Sequence, residues 1–414
     1  MSPLKHRTRY LAFASAAVLA SSLVAACGSS SNSGGSSSPI LIGASLSLTG
    51  DFSADGQAYE KGYKLWASEV NAHGGLLGRP VKLIIKNDNS SPTQVDTNYT
   101  DLITVDHVDL TFGPFSTLLT APAAEVAHRY GYAFVEGAGG GNLVFSEKLP
   151  NVFDVSLPVA SELDPFVNWI KSLPASERPT TAAYPMANDP FATPQTQLAQ
   201  SELQAAGIST VYSKIFPEEV PDYLPNATIV ASKNPQIVVL GSTDVPTVSS
   251  FMRGFEQQHF NPKVFIADAG PDQGAAFLSA VGTANANGVM VPDAWYPGYP
   301  TAASRAMVSE YVKKYGGNPS DVNADVAEAY SVGQVTAQAV EATDGTSGSK
   351  IISYLHSGVT LDSVQGPVRF NSLGENVKAI AFIFQWQNGK FVQVLPKTAN
   401  GSVPILFPKP NWSS

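Results

Sequence analysis

Short apolar runs alternate along this chain with longer stretches in which apolar residues recur every three or four positions. Residues 40–48 form one such run, closed by Thr49-Gly50, and read as a buried strand and turn. Tyr59, Tyr63, Trp66 and Val70 then share one helical face across residues 59–71. The sequence Asn71-Ala72-His73-Gly74-Gly75 supplies a left-handed helix stop. Strands are expected at 81–85, 108–112 and 132–135, with helices around 94–105 and 118–129 between them. The alternation restarts further on. Residues 182–184, 210–212, 236–240 and 263–267 read as strands, and 193–206, 222–232 and 245–258 as helices. A third stretch opens with 289–291 and carries long helices at 302–315 and 324–342. Strands at 366–371 and 379–386 and a turn at Asn388-Gly389 close the pattern.

Strands alternating with helices mean βαβ units and parallel sheets. Two similar α/β blocks, each too small to fill the chain, predict two lobes with a cleft between them. About 375 residues follow Pro39, which is long for one domain and natural for two.

The first forty residues follow a different rule. Lys5, Arg7 and Arg9 precede an apolar run from Leu11 to Val24, and small residues follow. This is the layout of a secretory signal, and the run is short for a transmembrane helix. Cys27 is the single cysteine, and the Ser/Gly-rich tract after it has the composition of a flexible tether. Val24-Ala25-Ala26-Cys27 resembles the lipobox of bacterial lipoproteins, which are cleaved before the cysteine and acylated on it. The expected layout is a signal peptide at 1–26 and a lipid-anchored tether at 27–38. The folded part then works outside the cytoplasmic membrane, held to its surface.

Charge narrows the partners. The chain carries 25 Lys+Arg and 34 Asp+Glu. Without Lys5, Arg7 and Arg9 the balance is 22 against 34, a net of −12. Nucleic acid is excluded as a partner, since phosphate recognition needs a basic footprint. With Cys27 used by lipid, no disulfide can form within the chain, and stability must come from packing.

Leu48-Thr49-Gly50, Gly56, Gly62, Glu69-Val70-Asn71 and the run from Gly74 to Val81 resemble the opening of the branched-chain amino acid-binding proteins of bacterial transporters. Asp88, Ser91-Pro92 and Gly113-Pro114-Phe115-Ser116-Thr117 extend the likeness. Tyr330, the run Gly366 to Asn371, Gly374, Gln385, Gly389 and Pro396 carry it to the C-terminus. The resemblance covers nearly the whole chain after the tether, in order. It implies a type I periplasmic-binding-protein fold of two lobes, each a mainly parallel sheet flanked by helices, with three hinge crossings. By position the crossings fall near Leu157-Pro158, Gly288-Val289 and 371–374. Lobe 1 is then 39–157 plus 290–371, and lobe 2 is 158–289 plus 372–414.

Residues Gly113 to Thr117 lie between a strand and a helix. In an open α/β sheet, ligands bind beyond the carboxyl ends of the strands. A helix starting at Thr117 aims unpaired N–H groups and a positive dipole end at that spot, and the hydroxyls of Ser116 and Thr117 add donors. This suits a carboxylate without any cationic side chain. The resemblance implies that the residue matching Thr117 holds the ligand carboxylate, together with backbone groups matching Ala138 and Gly140. It also implies a tyrosine and a glutamate for the ligand's amino group. This sequence departs there. Thr243, beside Asp244, stands at the tyrosine position, and Ala269 near the glutamate position, flanked by Asp268 and Asp272. Asp268 or Asp272 could take an ammonium instead. Phe52, Phe191, Trp295 and Tyr296 could wall an apolar or aromatic pocket, though each could equally be packing. Members of the family also bind amides, urea and aromatic carboxylates, so the identity of the solute stays open.

Enzyme chemistry finds little support. The histidines are scattered without metal-ligand spacing, and no Gly-x-Ser-x-Gly elbow is present. The glycine run 137–141 is followed by Asn142, which breaks a dinucleotide fingerprint. No cofactor or metal is expected. The expectation is a monomeric, non-enzymatic binding lipoprotein that delivers a small solute to the transmembrane subunits of an ABC permease. A ligand-sensing receptor subunit of the same fold is the alternative, and an extracellular hydrolase a more distant one.

Overall fold

The computed structural model describes residues 38–218, 220, 222–397 and 402–412. The signal, Cys27 and all of the tether but its last residue, Ser38, lie outside the described residues.

Five strands make the first sheet: β1 (Ile40–Leu46), β2 (Val81–Asn87), β3 (Leu110–Phe112), β4 (Phe134–Glu136) and β5 (Val152–Asp154). Their order is β2-β1-β3-β4-β5, and every pairing is parallel. In β1, Ile40, Ile42, Ala44 and Leu46 are fully buried, and Gly43 on the opposite face leaves room for Leu102 and Val108. A strand covered on both faces reads as a continuous apolar run, which is why this one did.

The second sheet holds β6 (Thr181–Ala187), β7 (Ser209–Phe216), β8 (Ile237–Leu240), β9 (Val264–Ala267), β10 (Val289–Asp293), β13 (Phe382–Gln387) and β14 (Lys390–Leu395). Its order is β14-β13-β10-β9-β8-β6-β7. β6 to β10 run parallel, while β13 and β14 are antiparallel additions at one edge. A small ribbon of β11 (Leu361–Ser363) and β12 (Gly366–Val368) stands apart from both. The expected strand 366–371 therefore ends three residues early.

Sheet membership corrects one crossing. β10 pairs with β9 on one side and with β13 on the other, through Asp293↔Phe382. The chain leaves the second sheet after Asp293, not at Gly288-Val289, so residues 290–293 belong with the second sheet. Near the other two expected crossings, β5 is followed by the helix Asp164–Ser172, whose Phe166, Val167 and Ile170 pack with the second sheet's core. At the third, Asp154 N–H donates to Gly374 O and Asp154 forms an isolated bridge with Glu375 before the chain enters β13.

The helices Ser53–Ala72 and Ala324–Thr343 lie together over the first sheet's core. Two glycines let them approach. A Cβ at Gly62 would stand 2.5 Å from Val326 O, and one at Gly333 only 2.2 Å from the Trp66 ring. Trp66 is buried, and Phe112 meets its ring edge-on at 5.3 Å. Tyr59, Tyr63 and Trp66, expected on one helical face, are all in this core.

This packing predicts that Gly333→Ala will destabilise the fold by about 1–3 kcal/mol through overpacking. Urea denaturation followed by circular dichroism measures it. A change within about 0.5 kcal/mol, the range of ordinary surface substitutions, would mean that the two helices part freely.

Candidate functional site

A cavity of about 100 Å³ lies between the two sheets. Its wall is built from segments that follow the carboxyl ends of parallel strands. Asp55 follows β1, Phe115 and Ser116 follow β3, and Ala138 and Gly140 follow β4. Ser156, Leu157, Val159 and Glu162 follow β5, Asp189 and Phe191 follow β6, and Thr243 follows β8. Asp268, Ala269 and Asp272 come after β9, and Asp293 ends β10. The helix Ala324–Thr343 adds Ala324, Asp325 and Glu328. This is the crevice that parallel sheets offer to ligands, doubled because two sheets face it.

Of the residues singled out from sequence, Ser116, Ala138, Gly140, Thr243, Asp268, Asp272 and Phe191 line this cavity. The structure does not bring Thr117, Phe52, Trp295 or Tyr296 to its wall. Thr117 is the first residue of the helix Thr117–Arg129 and is completely buried. It packs under Gly141, where an added Cβ would stand 2.6 Å from Thr117 Oγ1. Phe52 is buried in the first lobe and meets Phe115 edge-on at 5.8 Å. The Trp295 indole donates to Ser304 Oγ at 3.1 Å within the core. Tyr296 packs on Phe382 and Phe384. Large aromatic side chains bury most area inside a core, and here that outweighs their nearness in sequence to the cleft.

The anion pole expected around Ala138 has a different chemistry from the one anticipated. Glu136 ends β4 fully buried, and its Oε2 accepts the N–H groups of Ala138 at 2.9 Å and Gly139 at 2.6 Å. Two of the loop's N–H groups are thus given to a carboxyl of the chain itself. Asp154 lies close by, and an added Cβ at Gly140 would stand 2.9 Å from its Oδ2. Ser116 Oγ accepts from Leu119 N–H at 3.3 Å as the helix cap.

Eight carboxyl side chains line the cavity: Asp55, Glu162, Asp189, Asp268, Asp272, Asp293, Asp325 and Glu328. Among the described residues, no Lys, Arg or His shares that wall. Burial raises all eight pKa values above the ordinary carboxylate range, and neighbouring acids add to this for most of them. Thr196 Oγ1 donates to Asp268 Oδ2 at 2.6 Å, whereas Asp268 Oδ1 has no partner in the protein. Tyr59 and Ser156 donate to the two oxygens of Glu328 at 2.7 and 3.1 Å.

Gln273 makes contacts from the second lobe to the first. Its Nε2 sits 2.5 Å from Asp55 Oδ1, 2.8 Å from Asp272 Oδ2 and 2.9 Å from Asp325 Oδ2. Its Oε1 accepts from Asn323 Nδ2 at 3.3 Å. The loop after β9 is thereby tied to the first turns of both long helices. Asp55, Asp272 and Asp325 each bring an oxygen within 4.8 Å of the others.

Sequence reasoning missed Asp55, Glu162, Asp189, Gln273, Asp293, Asp325 and Glu328. A signal existed for Asp293: the apolar run from Val289 ends in that acid at a strand's carboxyl end, as the run from Val264 does in Asp268.

A profile of the periplasmic binding protein family matches residues 39–390. The chain belongs to this family. Its members bind small molecules outside the cytoplasm and work with ABC transporters. The chain is 25% identical over 373 residues to the Leu/Ile/Val-binding protein homolog 8 of Brucella abortus (strain 2308), covering 86% of this chain and 89% of that protein. In structure it is similar to the branched-chain amino acid transporter substrate-binding protein LivJ of Streptococcus pneumoniae, solved with isoleucine. The TM-score is 0.74 at 18% identity, over 85% of this chain and 97% of that one. A solute-binding protein of an R. palustris ABC transporter, solved with benzoate, gives a TM-score of 0.73 at 15% identity, over 91% and 98%. These likenesses establish the two-lobed type I fold. Among the described residues, no helix is long and apolar enough to cross a membrane.

The buried acids of this periplasmic binding protein fix the direction of its pH response. Burial lifts Asp154 from 3.8 to about 7. Between these values the folded chain holds a proton that the unfolded chain has released, so stability is lost as pH rises. The eight cavity acids are shifted in the same direction. The melting temperature of the ligand-free protein should fall from about pH 5 to about pH 8, and Asp154→Asn should flatten part of that slope. Differential scanning calorimetry across the range is the measurement, and a rising melting temperature would contradict the assignment.

Proposed function

We propose that this chain is a lipid-anchored solute-binding protein, not an enzyme, which captures a small solute between its lobes and presents the closed form to an ABC permease. The cavity between the two sheets carries this reading, because its wall draws on the strand ends of both. A ligand held there ties its binding energy to closure, and closure is a state that a membrane partner can recognise. The contacts of Gln273 with Asp55 and Asp325 support a closed arrangement of the lobes. The family match supports a capture function upstream of a transporter. The signal-like N-terminus and Cys27 support export and tethering by lipid.

A thermal-shift screen of chemically varied small solutes tests the binding role. A true ligand at 100 times its Kd adds about 2.7 kcal/mol of stability. Small-angle scattering of the protein without its N-terminal 36 residues should then give a scattering curve for the complex that fits the closed structure. A complex that scatters as a more open particle than this structure would overturn capture by closure.

The anchoring role has a separate test. Cys27→Ser should move the full-length protein from the membrane to the soluble fraction. Equal membrane retention of the variant would rule out acylation at Cys27.

A further inference from the structure

The sign of the cavity wall goes further than the family does. Resting on the solute-binding role above, we propose that the solute is an organic cation with two or more ammonium groups on an apolar spacer, a diamine or oligoamine. One ammonium takes the place of the Gln273 amide among Asp55, Asp272 and Asp325. Another lies at the pole formed by Glu162 and Asp268.

Three observations carry this. First, at the Gln273 pole three carboxyl oxygens from three segments converge on one amide nitrogen at 2.5–2.9 Å. An amide NH2 has two hydrogens and cannot donate to all three oxygens at once. An ammonium has three donors and the balancing charge, and the convergence has its geometry. Second, Asp268 is almost fully buried, at 2% exposure, and lines the cavity with Oδ1 lacking any partner. A buried acceptor of this kind is expensive unless a donor meets it. Glu162 stands near enough for Asp268 to raise its pKa further after burial has done so. Asp293 and Glu328 add to the negative wall.

Third, the pole that would take a ligand carboxylate is already partly committed. Glu136 accepts the N–H groups of Ala138 and Gly139. A zwitterion or an aromatic acid would bring a further negative charge into a wall that holds, among the described residues, no basic side chain. Phe115, Phe191, Leu157 and Pro292 interrupt the acids with apolar surface suited to a methylene spacer.

Isothermal calorimetry with 1,4-diaminobutane, spermidine, L-leucine, benzoate and MgCl2 separates the possibilities. At least one amine should bind, and neither leucine nor benzoate should. Asp268→Asn, which can keep the Thr196 contact, and Asp325→Asn should each weaken that amine at least about tenfold, with unchanged circular dichroism. Gln273→Lys should place an ammonium among the three acids. It should raise the melting temperature of the ligand-free protein and weaken amine binding about tenfold or more, whereas Gln273→Met should not raise the melting temperature. Binding of leucine or benzoate without amine binding would overturn the cation assignment and leave the solute-binding role standing. Binding of Mg2+ alone would replace an organic cation by a metal and also overturn it. Silence from all five overturns it too. The solute-binding role itself falls only if the wider thermal-shift screen and native mass spectrometry of the purified protein find no bound small molecule.

Discussion

Carboxyl groups taken out of water repel one another and demand a counter-charge, and this constraint governs the centre of the molecule. Each parallel strand delivers its last residues to the same side of its sheet. Two sheets facing each other therefore concentrate whatever residues stand at those ends. Here those residues are acids. Eight of them share a cavity of about 100 Å³, where the effective dielectric is far below that of water and like charges cannot all persist. Protonation answers part of this demand, as the uniformly raised pKa values indicate. Hydrogen bonds from Tyr59, Ser156, Thr196 and Gln273 answer another part.

The same fold supports a different chemistry when a few residues at strand ends change. In this chain the loop after β4 is built around its own buried carboxyl. Gly139 leaves no room for a side chain, since a Cβ there would stand 2.4 Å from Thr120 and 2.8 Å from Glu136 Oε2. The loop can wrap Glu136 only because of that. A family resemblance can place the loop, but the sign of the group it holds depends on Glu136, one residue before the glycine run. Function lives in such residues and not in the architecture around them.

The architecture itself was legible. Apolar runs located β1, β3, β4, β8 and β9, because strands buried on both faces are apolar almost throughout. The helical face of Tyr59, Tyr63 and Trp66 was legible for a similar reason. Two kinds of information were not. The partner of β10 depends on β13, which lies almost a hundred residues away and pairs with it antiparallel, so the crossing was placed a few residues early. Side-chain direction was the other. Ser116 and Thr117 are neighbours, yet one lines the cavity and the other is sealed beneath Gly141. A helix start rotates successive residues by about 100°, and only the packed structure says which one faces the cleft. For Trp295 the sequence left cleft wall and core packing equally open, and the structure places it in the core.

Charge and closure are coupled in one term here. With the lobes apart, water hydrates Asp272 away from Asp55 and Asp325, and the repulsion between them is screened. With the lobes together, the three carboxyls meet around Gln273 and the water is gone. A neutral solute would gain packing on Phe115 and Phe191 but leave the cost of burying the three acids in place. A cation removes it, and does so only in the closed arrangement, where all three acids reach one point. Differential affinity for one of two arrangements is what allows a ligand to shift the balance between them. The acids then act as selectivity filter and as latch, because rejecting an uncharged or anionic solute and failing to close upon it are the same electrostatic event.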